Sequence, residues 1–166
     1  MFLSASFHVS TPSDREIQVM RDFDARRQLV FDAFTKPELV RRWLLGPPGW
    51  SMPLCEIDLR IGGSYRYVWR SEKDGSQMAV GGVFRDVTPL ERLVSTERFD
   101  DAWYPGEAEV TTAFAETNGI TRTTIIIMYE SREARDTARR SGMERGMAAG
   151  YDRLETLLPT FIGECT

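Results

Sequence analysis

Between Arg15 and Phe23 apolar and polar side chains alternate, with Ile17, Val19 and Phe23 set against Glu16, Gln18 and Asp22. A period of two predicts a half-buried strand. The period then changes. Leu29, Val30, Ala33 and Phe34 recur at helical spacing and predict a helix over 25–34, with Asp24 as its cap. Thr35-Lys36-Pro37 ends that helix, and Pro37 suits the first turn of a second short one, PELVRRWLL. Gly46-Pro47-Pro48-Gly49 must then be a loop. From 51 to 129 the pattern is one of strands and tight turns, with strands predicted at 52–59, 63–71, 77–87, 92–99, 107–117 and 120–129. Asp74-Gly75 and Asn118-Gly119 mark turns, the latter being the strongest hairpin signal in the chain. Such short connections predict antiparallel neighbours. A short helical piece follows Ser131, and a long helix from about 142 to 158 is expected to stop at Pro159.

That long helix carries an apolar stripe of Met143, Met147, Tyr151, Leu154, Leu157 and Leu158. Gly142, Gly146 and Gly150 fall four apart within it, on one side. An interior helix glycine costs roughly 1 kcal/mol relative to alanine. The stripe therefore implies either unusually close packing or room for a guest. A long antiparallel sheet with one apolar face and a single long amphipathic helix has a natural solution, in which the sheet curls around the helix. Gly62-Gly63 and Gly81-Gly82 sit where strand glycines would supply the bends. The fold class is α+β, with about seven strands in βααββββββα order around the C-terminal helix.

At 166 residues the chain is read as one domain over 14–162, preceded by a flexible tail over 1–13. A net charge of −4, with basic and acidic residues interspersed, argues against nucleic acid as a partner. No apolar run reaches the roughly eighteen residues of a membrane span. The opening MFLSASFHVS lacks the basic start of a signal peptide. A cytoplasmic location is the expectation. Cys55 reads as a small core residue and Cys165 as mobile; neither has disulfide or metal-ligand spacing. The single histidine, His8, falls in the expected tail. A histidine-based nucleophile system or metal site is thereby excluded, and no metal or cofactor is expected.

Residues 43–70, WLLGPPGWSMPLCEIDLRIGGSYRYVWR, together with GGVFRDVTPLERLV at 81–94 and SGMERG at 141–146 leading into YDRLETLL, resemble a known family. The string is similar to the helix-grip superfamily of START lipid-transfer domains, birch-pollen-allergen-type proteins and polyketide cyclases, often abbreviated SRPBCC. Within it the chain most resembles the heat-shock protein 90 ATPase activator homologues. The resemblance spans about residues 15–160 and implies a helix-grip fold, but a fold that hosts carriers, cyclases and co-chaperone modules says little about activity. Many relatives have a double tryptophan before the glycine-proline loop; here Trp43 is followed by Leu44-Leu45.

Tyr65, Tyr67 and Trp69 alternate along one strand and share a face. Together with Trp43, Trp50, Phe84 and Phe99 from the strands and loop, and Met143, Gly146, Met147, Gly150 and Tyr151 from the last helix, they are the candidate lining of a hydrophobic tunnel. Glu56, Asp58, Arg66, Glu97 and Arg98 are the polar groups that could orient a ligand. Strand alternation groups Glu97 with Leu93, Ser95 and Phe99 without saying which face is inward. A Glu97 buried among apolar groups would have a raised pKa and could serve as an acid or base. The segment Asp100-Asp101 to Pro105-Gly106 reads as a solvated loop, and 120–129 as apolar on both faces, one of them a candidate homodimer contact. The leading expectation is binding of a small apolar or aromatic molecule without catalysis. The alternative is a cyclase- or hydrolase-like enzyme on a polyketide-like substrate, using Glu97, Tyr67 or Arg66. A chaperone ATPase-modulating role ranks last.

Overall fold

The computed structural model describes residues 6–102, 104 and 106–162. The chain runs β1 (His8–Ser10), β2 (Glu16–Phe23), α1 (Arg27–Thr35), α2 (Pro37–Trp43), β3 (Trp50–Ile57), β4 (Ser64–Ser71), β5 (Gln77–Thr88), β6 (Arg92–Phe99), β7 (Ala108–Thr117), β8 (Ile120–Met128), α3 (Arg132–Arg140) and α4 (Met143–Phe161). Its eight strands form one antiparallel sheet in the order β1-β2-β8-β7-β6-β5-β4-β3. The sheet is curved and unclosed, with the helices on its concave side, which is the helix-grip arrangement. The predicted hairpin forms at Asn118 and Gly119, both with positive φ of 52° and 78°. That backbone is what a two-residue turn between twisted strands demands.

Three expectations are corrected. Beyond the roughly seven strands expected an eighth joins the sheet, because His8–Ser10 pairs with β2, His8 opposite Met20. That part of the expected tail is therefore an edge strand, and Phe7 beside it meets the ring of Tyr151 at 6.1 Å; residues 1–5 and Cys165 lie outside the described residues. The first helix starts at Arg27 without a side-chain cap from its own neighbourhood. Asp24 is displaced from that role by a tight turn at Phe23–Ala25, and the free Arg27 N–H donates instead to Glu116 Oε1 of β7 at 2.8 Å. Finally, α4 runs through Pro159 to Phe161. Leu158 and Phe161 are almost wholly buried, at 1% and 0% exposure, and Arg42 lies over the Phe161 ring at 4.9 Å. Their burial holds the last turn closed against the hydrogen bond that a proline removes.

The main core lies between β2, β7 and β8 on one side and α1, α2 and α4 on the other. On β2 the alternation continues through an unexpected member, Arg21, which is 1% exposed. Its guanidinium reaches Asp152 of α4 at 3.0 Å and Glu155 at 3.8 Å and stacks over Phe23. A charge this deep is tolerated because it is paired. Ile125 and Ile127 of β8 join the core, whereas Ile126 on the outer face sits between Gln18 and Thr111, and Met128 between Glu16 and Glu109. No helix among the described residues is long and apolar enough to cross a membrane.

Candidate functional site

The glycine stripe does not look onto a tunnel. Gly142 is the N-cap of α4, with φ 87°. A Cβ on Gly150 would meet the Trp43 carbonyl oxygen at 3.4 Å and its ring at 3.8 Å. One on Gly146 would find only Pro47 Cδ, at 3.9 Å. The stripe is the seat of α2 and the glycine-proline loop. Arg153, further along the helix, ties the same segment down by donating to the carbonyls of Trp43 at 2.9 Å and Gly46 at 3.1 Å. Trp43 is 2% exposed and donates to Ala33 O; Tyr151 is 3% exposed and packs on Phe7, Phe23, Phe34 and Trp43. Trp43, Gly150 and Tyr151 are thus core, not lining, a correction to their expected role. Two surface recesses lie elsewhere. One, of about 200 Å³, is bordered by Arg85, Thr96, Glu109 and Met128; the other lies among Asp136, Arg139, Arg140 and Glu144.

A different group of candidates does come together, on the concave side of β4, β5 and β6. Tyr65, Val80 and Phe84 form a buried cluster separate from the main core, and Leu59, Val87 and Phe99 touch both. Rings of Tyr65 and Tyr67 are 5.2 Å apart, and those of Tyr67 and Trp69 are 6.0 Å apart. Trp69 Nε1 donates to Leu44 O at 2.7 Å, anchoring the row beside the end of α2. Tyr65 lies across Gly82, its register partner, and its hydroxyl donates to Thr96 O on the next strand but one. Only a glycine leaves room for that crossing, since a Cβ on residue 82 would sit 2.8 Å from Tyr65 Cε1. The helix α4 packs on α1, α2 and α3 rather than extensively on these strands. Tyr67, Trp69 and Phe99 on the sheet, and Met143 and Met147 on α4, consequently keep part of their surface accessible. Trp50 opens the outer strand β3, opposite Ser71 at the end of the row.

Glu97 occupies this concave face with Phe99 and Ser95, so the inward face of β6 is the one that carries the carboxyl. Tyr104 Oη donates to Glu97 Oε1 at 3.2 Å. The other oxygen, Oε2, has no hydrogen-bond partner among the described residues. Burial pushes the Glu97 carboxyl up to about 7, against which the Tyr104 bond acts only partly. Burial and the Glu97 charge together push the phenols of Tyr65, Tyr67, Tyr104 and Tyr129 upward. Tyr104 is bonded to the carboxyl, and Tyr65, Tyr67 and Tyr129 lie near enough to feel its charge. Tyr104 and Tyr129 stack edge to face at 5.0 Å, Tyr104 meets Phe99 at 6.4 Å, and Tyr129 Oη lies 3.7 Å from Met143 Sδ.

The remaining polar candidates point away. Arg66 is on the opposite face of β4, where it forms a two-pronged ion pair with Asp100, which leaves it apart from Glu97 and Tyr67, the other two candidates for proton transfer. Arg98 and Glu56 are exposed, and Asp58 pairs with Arg60 at 2.9 Å. Sequence reasoning missed Tyr104, which the expected solvated loop carries inward to 3% exposure, and gave Tyr129 no role. Pro105 of that loop lies outside the described residues. Cys55 of β3 is buried beside the row, across from Tyr67, and burial pushes its thiol up to about 11. Among the described residues no three His, Cys, Asp or Glu side chains converge as metal ligands.

A family model described as activator of Hsp90 ATPase homolog 1-like protein matches residues 24–159. No curated protein matches the chain. Among solved structures, a Rhodobacter sphaeroides protein is 28% identical over 93% of this chain and 99% of its own, with a TM-score of 0.88. A Nitrosomonas europaea protein is 26% identical over 89% and 96%, with a TM-score of 0.78. An AHSA1-like protein from Aeromonas hydrophila, 20% identical over 84% and 92% with a TM-score of 0.66, shares the fold.

Proposed function

Because the chain belongs to the family of activator of Hsp90 ATPase homolog 1-like proteins, within a superfamily whose curved sheets accommodate guests, we propose that it binds a small apolar or aromatic molecule. The seat is the concave face of β4–β6, opposite the Met143 and Met147 flank of α4. One observation carries this reading. Tyr67, Trp69, Phe99, Met143 and Met147 stay partly accessible around a half-buried carboxyl whose Oε2 has no hydrogen-bond partner among the described residues. Apolar side chains left unburied beside an unsatisfied polar group are what a preformed small-molecule site provides. The fluorescent apolar probe N-phenyl-1-naphthylamine should bind with micromolar affinity, and Ser95→Phe, which fills the inner face of β6 next to Glu97, should abolish binding. A wild-type protein that does not take up the probe, or a folded Ser95→Phe that still does, overturns the reading.

A second reading, proton transfer to or from the bound molecule, is favoured by the near-neutral Glu97 carboxyl and its Tyr104 contact. It predicts turnover that disappears in Glu97→Gln while the probe still binds. Loss of turnover without Glu97 titration in the pH profile would remove Glu97 from that role.

A further inference from the structure

Glu97 has aromatic neighbours and no basic partner among the described residues. The groups that face it are Tyr65 and Tyr67 from β4, Ser95 and Phe99 from its own strand, Tyr104 from the following loop and Tyr129 after β8. Arg66 is committed to Asp100 and Arg98 is exposed, both on the opposite side of the sheet. On α4 the nearest contributors, Met143 and Met147, are neutral. Two other buried carboxylates each have a basic partner: Asp32 of α1 lies 3.7 Å from Lys36, and Glu155 of α4 lies 3.8 Å from Arg21. Among these three carboxylates Glu97 is the one without a basic partner among the described residues, and it stands on the concave face beside the Tyr104 hydroxyl.

A carboxylate in a low-dielectric wall, flanked by aromatic rings, is suited to one class of head group. The charge attracts a cation far more strongly there than in water, and electron-rich ring faces add to that attraction. We propose that the site binds a cationic amine carried on an apolar or aromatic body, the ammonium seated against Glu97 Oε2 between the Tyr67 and Tyr104 rings. This rests on the binding reading above and specifies its ligand. A carboxylate-headed molecule would meet like charge, and a neutral alcohol would gain the hydrogen bond without the counter-charge. The apolar body lies along Tyr67, Trp69 and Phe99. Because Glu97 is partly protonated near neutrality, seating an ammonium displaces its proton. The amine stays protonated, the carboxyl ionises, and one proton passes to the buffer.

The test is displacement of N-phenyl-1-naphthylamine by three molecules sharing one body: 4-phenylbutylamine, 4-phenylbutan-1-ol and 4-phenylbutyrate. The amine should compete at about tenfold lower concentration than the alcohol, and the butyrate should be the weakest. Calorimetry at pH 6 in two buffers of different ionisation heat should show protons released on binding the amine and none on binding the alcohol. In Glu97→Gln the amine and the alcohol should converge. An alcohol or butyrate that equals or surpasses the amine, absence of proton release, or an amine preference that survives Glu97→Gln overturns the inference while leaving the binding reading intact. Failure of the probe itself to bind overturns both. If Glu97→Gln does not fold, the wild-type ranking and proton release decide the matter.

Discussion

The crossing of Tyr65 over Gly82 makes a quantitative prediction. In Gly82→Ala the new methyl would collide with the Thr96 carbonyl and stand 2.8 Å from Tyr65 Cε1. Neither neighbour can give way cheaply. The carbonyl is backbone in the middle of the sheet, and the ring is 8% exposed and packed on Phe84 at 5.7 Å. Overpacking of this kind costs about 1–3 kcal/mol, and loss of the Tyr65 Oη to Thr96 O bond adds about 1 kcal/mol. A total of about 3 kcal/mol corresponds to a fall in Tm of roughly 6–12 °C for a domain of this size. Gly146→Ala is the internal contrast, because its methyl would meet nothing closer than Pro47 Cδ at 3.9 Å. Removing that helix glycine should gain up to about 1 kcal/mol and raise Tm by about 2–4 °C. Thermal melts by circular dichroism would measure both. A Gly82→Ala melt within about 2 °C of wild type would refute the claim that the aromatic row needs a side-chain-free strand position.

The other predictions concern charge. Since the Glu97 carboxyl is held at about 7 rather than 4.5, the folded chain binds that proton more tightly than the unfolded chain. Its contribution to stability is therefore greatest below about 4.5 and declines through 7, at a cost of at most about 3 kcal/mol above that. Glu97→Gln should consequently gain Tm over wild type as pH rises from 5 to 8, and a gain that does not change with pH would contradict the assignment. Tyr104→Phe removes the one bond that lowers the Glu97 pKa, so an NMR titration of the carboxyl carbon should move its midpoint above 7. Asp152→Asn with Glu155→Gln leaves the Arg21 guanidinium uncompensated beneath α4 and should cost about 3 kcal/mol in a urea melt. By contrast Arg21→Met combined with Glu155→Leu, which removes the buried charges of both signs, should be close to neutral.

Elements whose signals are local were legible in the chain. The Asn118-Gly119 turn, the strand periods around it and the Ser131 start of α3, whose side chain accepts from Ala134 N at 3.0 Å, needed only neighbouring residues. The parts that were not legible depend on partners far along the chain. The cap of α1 is Glu116, 89 positions away, and nothing near Arg27 announces it. His8–Ser10 is too short to show a period, and Thr11-Pro12-Ser13 after it reads as a break. The glycine stripe correctly signalled a close approach, but its occupant, Trp43, comes from α2. Burial of Glu97 was open until the register with β7 fixed the inward face of β6. Tyr104 was hidden by its acidic and glycine neighbours, since what draws it inward is Glu97 on one side and Tyr129 on the other.

The sheet order has a consequence for synthesis. β2, near the beginning of the chain, pairs with β8, so that Asp22 and Arg122 meet across 100 positions. On the ribosome β2 therefore emerges long before its mate, with Ile17, Val19 and Phe23 unprotected. The hairpins from β3 to β7 need only adjacent segments and are able to assemble meanwhile. The half that bears Glu97 is thus built first, and arrival of β8 and α4 completes the grip around it.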